Sequence, residues 1–182
     1  MARVLVLLAP GAEEMETVIV VDVLRRASLD VVMAGVQGTG AVTCSRQVKL
    51  LPDVSLDAVN GPFDAIVLPG GAQGAEVLAA NPKVQDLLRQ QEAAGRWIAA
   101  ICAAPIALVS AGVGKGQALT SHPSVKARVE SHGRYSEDRV VRSGKQITSR
   151  GPGTAFEFAL AIIEELLGKD AAQKVALPML LK

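Results

Sequence analysis

Cysteine and histidine are scarce in this chain: Cys44, Cys102, His122 and His132 are all that 182 residues contain. Two cysteines are too few for a disulfide scaffold and fit a reduced, intracellular setting. Together with the histidines they form none of the usual zinc-ligand spacings, which excludes a zinc module. Aromatics are nearly as rare, limited to Phe63, Trp97, Tyr135, Phe156 and Phe158, so the core must be aliphatic. Neither charge sign dominates, since 19 Lys and Arg face 18 Asp and Glu. A balance of that kind provides no bulk attraction to nucleic acid or to an anionic membrane. One uncharged run stands out, the 18 residues from Trp97 to Gly114. It reaches the lower margin for a spanning helix, but Pro105, Gly112 and Gly114 interrupt it, so a buried strand followed by a short helix is expected. The start, M-A-R followed by V-L-V-L-L-A, carries no cleavage-site pattern, and a cytoplasmic protein is the expectation.

What is present is a globular composition, 49% hydrophobic and 20% charged, of a length suited to one domain spanning 1–182. Val4–Ala9 is an aliphatic run stopped by Pro10-Gly11, the pattern of a strand buried on both faces. Met15–Ala27 follows with helical spacing, and Asp30–Gly35 is a second aliphatic strand. These three segments make a βαβ unit and point to an α/β fold. Ala41–Leu51 predicts a small antiparallel excursion. Ala65–Leu68 and Trp97–Ile101 predict further buried strands, and Pro82–Ala94 and Ala104–Ala111 predict helices. Gln117–Thr120 reads as a strand, and His122-Pro123 opens a short helix to about Val129. Arg139–Ser149 reads as a hairpin turning at Ser143-Gly144. Thr154 and Glu157 have capping-box spacing for a helix running to Leu167 and stopping at Gly168. Asp170–Ala176 forms a last amphipathic stretch. The expected architecture is one doubly wound, mostly parallel sheet with a small β-hairpin insertion.

In such sheets ligands bind beyond the carboxyl ends of the strands. Three of those ends carry chemistry: A-P-G-A-E-E-M-E, L-P-G-G-A-Q-G and A-I-C-A-A-P. Cys102 sits where a buried strand turns directly into a helix, the placement of a nucleophile on an elbow. Amides of the following residues and the helix dipole would favour its thiolate. A buried, inert cysteine in an Ala-rich strand fits the local sequence equally well. Gly70-Gly71 offers amides to an oxyanion, or is simply a tight turn. Of Glu13, Glu14 and Glu16, at least two fit a helix N-terminus, while one carboxyl aimed into the crevice would be driven towards its protonated form beside a thiolate. His122, in T-S-H-P, is either a base or orienter or a residue at the solvent edge. His132 reads as a surface residue and Cys44 as packing. Dinucleotide, phosphate-loop, serine-elbow, zincin and dithiol motifs are absent.

Four separated motifs, G-A-E-E-M-E (Gly11 to Glu16), V-L-P-G-G (Val67 to Gly71), A-A-I-C-A-A-P (Ala99 to Pro105) and T-S-R-G-P-G-T-A-F-E-F-A-L-A (Thr148 to Ala161), resemble the parkinsonism-associated deglycase family, often called DJ-one, of the ThiJ/PfpI superfamily. The resemblance covers essentially the whole chain. It implies a flavodoxin-like fold, similar to class I glutamine amidotransferases, and a homodimer. By the same resemblance Cys102 is the reactive cysteine, Glu16 its protonated partner and His122 the histidine of the site. Gly70, Gly71 and Ala103 take the oxyanion amides, and Arg26 and Arg46 line an anion-binding spot near the dimer contact. Ala103 follows Cys102 where PfpI-type proteases place a histidine, which argues against proteolysis. Leu51 occupies a position where some family members carry an oxidisable cysteine.

The resemblance implies cysteine-dependent chemistry without metal or organic cofactor on small reactive aldehydes such as methylglyoxal or glyoxal. It extends to their early adducts on protein or nucleotide amines, as a glutathione-independent glyoxalase and deglycase. Its alternative is an oxidative-stress sensor and redox-regulated chaperone in which Cys102 becomes a sulfinate. A flavodoxin-like fold with an inert cysteine and an unrelated ligand is the plainest reading. Cytoplasm is expected, with nucleus and mitochondrion allowed by the resemblance, and neither membrane nor specific nucleic-acid binding is signalled.

Overall fold

A computed structural model of the chain describes residues 1–181. Strand β1, Arg3–Leu8, leads into helix α1, Glu14–Arg26, and back to β2, Asp30–Gly35. Strands β3, Val42–Thr43, and β4, Lys49–Leu50, pair antiparallel as the expected small hairpin. Strand β5, Val54–Ser55, then pairs with β2 and precedes β6, Ala65–Leu68. Helices α2, Ala72–Ala80, and α3, Pro82–Ala93, follow, and then β7, Trp97–Ile101, and α4, Pro105–Ala111. Next come β8, Ala118–Leu119, α5, Lys126–Val129, and β9, Arg134–Tyr135. Strands β10, Val140–Ser143, and β11, Gln146–Ser149, form the second hairpin, before α6, Ala155–Leu167, and α7, Lys169–Ala176.

The central sheet has seven strands in the order β10-β11-β7-β6-β1-β2-β5, parallel except for β10. Its aliphatic runs divide by the two-residue period of a strand. Val4 and Val6 of β1 pack with Val20, Leu24, Phe158 and Ile162 on the face of α1 and α6. Leu5 and Leu7 pack with Leu78, Val84, Leu88 and Leu108 on the opposite face. Each such fully buried side chain contributes about 1.5–3 kcal/mol relative to exposure, which lets five aromatics suffice.

The uncharged stretch that raised the membrane question is β7 and α4, and among the described residues no helix is long and apolar enough to cross a membrane. Two expectations fail. The sequence reading assigns no element to α2, where Gly74 is a poor helix former. In the structure Gly74 packs against the turn after β1, where a Cβ would come 2.7 Å from Ala12 Cα. The capping box at Thr154 is also absent. Thr154 Oγ1 instead accepts from the amides of Arg150 and Gly151, both at 3.2 Å, and Glu157 pairs with Arg139. A short 3₁₀ turn over Pro152–Thr154 redirects the cap to the loop after β11.

Candidate active site

Strands β1, β6 and β7 are neighbours, so the turns at their carboxyl ends converge. Cys102 begins the turn after β7 with φ +64°, a left-handed conformation that costs a non-glycine residue energy. Both of its backbone groups are held. Its N–H donates to Ser149 O of β11 at 2.9 Å, and its carbonyl accepts from His122 N at 2.8 Å. Pro105 opens α4 three residues later. This is the strained elbow expected for Cys102.

The side chain is nearly enclosed, with 9% of Cys102 exposed. Amides of Gly71 and Ala103 both interact favourably with its sulfur. Glu16, on the first turn of α1, is fully buried and neighbours the thiol, since a Cβ at Gly70 would touch both Cys102 Cβ and Glu16 Oε2. Glu16 Oε2 accepts from Gly70 N at 2.7 Å. Its Oε1 is buried without a partner of its own, a costly situation for an ionised carboxylate. Burial pushes the Glu16 carboxyl up to about 7, against the lowering effect of the Gly70 amide and the thiol.

The expected thiolate stabilisation by a helix dipole does not prevail. Burial first, then repulsion from Glu16, pushes the Cys102 thiol up to about 12, and the two amides offset only part of this. Helix α4 has just seven residues, and its dipole term of about 0.3–1 kcal/mol is small beside desolvation. The pair therefore keeps at least one proton at neutral pH and titrates as a unit.

Close backbone approach explains the glycines. A Cβ at Gly70 would lie 2.6 Å from Cys102 Cβ and 2.8 Å from Glu16 Oε2. Gly71, with φ +86°, abuts the turn after β1, where a Cβ would meet Gly11 O at 2.3 Å. Their amides take different partners. The Gly70 amide is spent on Glu16 and is no oxyanion donor, whereas those of Gly71 and Ala103 face the sulfur.

A cavity of about 450 Å³ opens over Cys102, with Arg46, His122, Glu13 and Glu76 on its walls. His122 Nδ1 lies 2.8 Å from Ser124 Oγ and accepts from Ser124 N at 3.2 Å, so that nitrogen is committed to the turn. Arg26 is elsewhere: it pairs with Asp22 and lines a separate groove beside α1. Within this chain Arg26 and Arg46 do not share a site. The three glutamates divide their work. Glu13 caps α1 by accepting from Glu16 N, Glu14 holds Ser45 Oγ and Arg46 N at 2.7 Å each, and Glu16 enters the site. Sequence reasoning missed Ser124, on the 3₁₀ turn Pro123–Val125, and Glu76 and Gln73, on the unforeseen helix α2. Among the described residues, no group of three or more His, Cys, Asp or Glu side chains is gathered to hold a metal ion.

The DJ-1/PfpI family model matches residues 2–165. The chain belongs to this family. It is 50% identical over 184 residues to the Parkinson disease protein 7 homolog of Danio rerio, covering 99% of this chain and 97% of the relative. It is 42% identical over 180 residues to the glutathione-independent glyoxalase DJR-1.2 of Caenorhabditis elegans, covering 97% and 95%. Its structure is similar to the crystal structure of Drosophila melanogaster DJ-1beta, with TM-score 0.97, 52% identity and coverage of 100% and 98%. The flavodoxin-like expectation for this DJ-1/PfpI member agrees with that neighbour.

Proposed function

We propose that this protein is a glutathione-independent glyoxalase that also acts on early adducts of methylglyoxal or glyoxal with amines. One observation carries the reading: a fully buried Glu16 carboxyl set against the Cys102 thiol on a strained elbow. A thiol raised to about 12 is a weak nucleophile unless a base takes its proton as it attacks. With its carboxyl raised to about 7, Glu16 is divided between acid and base near neutrality and can both accept and return a proton.

The balance of the reaction is simple. The sulfur bonds to the aldehyde carbon while Glu16 takes the thiol proton and passes it to the new alkoxide, which faces the Gly71 and Ala103 amides. Glu16 then takes the proton from the former aldehyde carbon as the neighbouring carbonyl oxygen gains one, giving an enediol, and returns it to the neighbouring carbon as the first hydroxyl releases its proton, so that a thioester with an adjacent hydroxyl results. Water cleaves the thioester, releasing lactate from methylglyoxal or glycolate from glyoxal and restoring the thiol. On an amine adduct the carbon–nitrogen bond breaks as the carbon–sulfur bond forms, and the amine leaves with the proton. Oxidant, reductant and glutathione are not consumed. His122 and Arg46 border the cavity and orient substrate or product.

Purified protein given methylglyoxal alone should release lactate. Glutathione dependence, or full activity in Cys102→Ser, overturns the reading. The homodimer belongs to the same proposal: α1 leaves Met15 and Val18 about half exposed beside a groove of about 480 Å³. Sedimentation should give twice 18.9 kDa.

A further inference from the structure

A small cavity of about 130 Å³ lies at the other end of the sheet from Cys102. Gln146 and Ile98, paired in register near the amino ends of the parallel strands β11 and β7, are among its walls. Cys102 follows the carboxyl end of β7, roughly 13 Å further along the strand. Gly114 and Gln117, from the loop between α4 and β8, line the cavity as well. A Cβ at Gly114 would come 1.8 Å from Gln146 Oε1, so a glycine lets that loop press on the carboxamide.

Gln146 is 5% exposed, and its Nε2 is buried with no hydrogen-bond partner. A buried N–H without an acceptor is costly, and an oxygen arriving in the cavity would remove that cost. The groups around the space are mostly donors too. Among the described residues neither Arg96 nor Lys145 forms an ion pair. Arg96 spends only its Nε, on Gln91 Oε1 at 3.2 Å, and Lys145 Nζ stands 4.4 Å from the centre of the Trp97 ring. Ser143 Oγ donates to Gln117 Oε1 at 2.6 Å, so the free end of that carboxamide is its nitrogen. Glu92, the one carboxylate on the walls among the described residues, already accepts from Gly114 N at 2.6 Å. Two cations and two carboxamides against one occupied carboxylate suit an anion with several acceptor oxygens. The volume is roughly four times that of a water in the liquid. It falls well short of the roughly 300–1,000 Å³ of a drug-sized site, which excludes a nucleotide and leaves room for one phosphate or carboxylate group.

We infer that this cavity is a binding site for one small oxyanion, a phosphate or a carboxylate, held by Arg96 and Lys145 with Gln146 Nε2 as the buried donor. The site is separate from the carbonyl chemistry proposed for Cys102 and does not depend on it. An anion there bridges β7, β11 and the loop after α4, and so stabilises the folded chain in proportion to its occupancy.

Nuclear magnetic resonance of the Gln146 side-chain amide in the whole protein reads the site directly. Inorganic phosphate and acetate serve as separate probes at fixed ionic strength, with sodium chloride as the control. Saturable movement of that resonance by phosphate, by acetate or by both is the expected result, with a Kd on the order of 1 mM. The probe that saturates it identifies the group bound. The paired variant Arg96→Gln, Lys145→Gln should weaken that affinity by roughly tenfold or more. Lys145 is exposed and Arg96 half-buried at the surface, so the variant keeps the core intact. Arg46→Gln, in the cavity over Cys102, should leave the affinity within about twofold. No movement at Gln146, as for a cavity holding ordered water only, overturns the inference. So does movement that the chloride control reproduces, or an affinity unchanged in the paired variant. A loss confined to Arg46→Gln would place the anion over Cys102 and likewise overturn it.

Discussion

Cys102 and Cys44 flank the same turn after β1, and burial protonates both. Cys44 is 2% exposed and packs with Leu8, Ala12 and Val42, and burial pushes its thiol up to about 11. Cys102 is a little more open and is pushed up to about 12. Neither burial nor acidity separates them. Their neighbours do: among the described residues the Cys44 sulfur has one hydrogen-bonding contact, to Val42 O at 3.9 Å, and Glu14 and Glu13 act on it through charge alone, whereas two amides and a carboxyl face Cys102. A reactive cysteine in this fold is one whose proton has somewhere to go.

The largest test of that contrast exchanges each sulfur for oxygen. Cys102→Ser should cut lactate formation from methylglyoxal by roughly a thousandfold, and Cys44→Ser should leave it within about twofold. Comparable losses would erase the distinction. Gly70→Ala comes next, because its Cβ would press on both Cys102 and Glu16. A displaced pair should lose roughly 100-fold in kcat/KM, since small errors in reacting geometry are expensive. Wild-type turnover in that variant would mean that the close packing of the elbow does not matter.

Much of this fold is legible in the sequence because buried parallel strands are uninterrupted aliphatic runs, as in Val4–Leu8 and Ala65–Leu68. The elbow is legible because a strand meets Cys102 and Pro105 with no loop between. Glu16 as the partner carboxyl came from family resemblance; local pattern leaves three adjacent glutamates, and only tertiary packing assigns Glu13 to a cap and Glu14 to the β3–β4 loop. Gly70 illustrates the same limit. A glycine pair announces close approach, but which amide meets the carboxyl and which the sulfur depends on the turn's conformation. Helix α2 was hidden because Gly74, a poor helix former, is there to admit Ala12.

The Glu16 carboxyl makes activity and stability run in opposite directions with pH. Raised from 4.5 to about 7, it binds a proton in the folded chain that the unfolded chain has released. Stability from this group is complete below about pH 4.5 and is lost as pH rises towards 7. The loss should amount to roughly 2–4 kcal/mol. With Glu16 as the base of the proposed reaction, kcat/KM should climb through about pH 7 to a plateau. Glu16→Gln should abolish turnover and flatten that part of the stability curve in urea titrations. A variant with the wild-type slope would place the titrating group elsewhere.

Cys44→Ala probes the other side of the comparison and carries the smallest effect. Removing one buried sulfur from the cluster of Leu8, Ala12 and Val42 should cost about 1–2 kcal/mol in urea unfolding. Turnover should stay within about twofold, because nothing about the Cys44 sulfur reaches substrate. The outcome is informative because the next two residues are tied to α1, Ser45 and Arg46 both bonding to Glu14 at 2.7 Å. Those bonds fix the hairpin against the cavity without help from the thiol. A larger loss of turnover than of stability would mean that Cys44 packing sets the position of Arg46, and the two cysteines would then belong to one site.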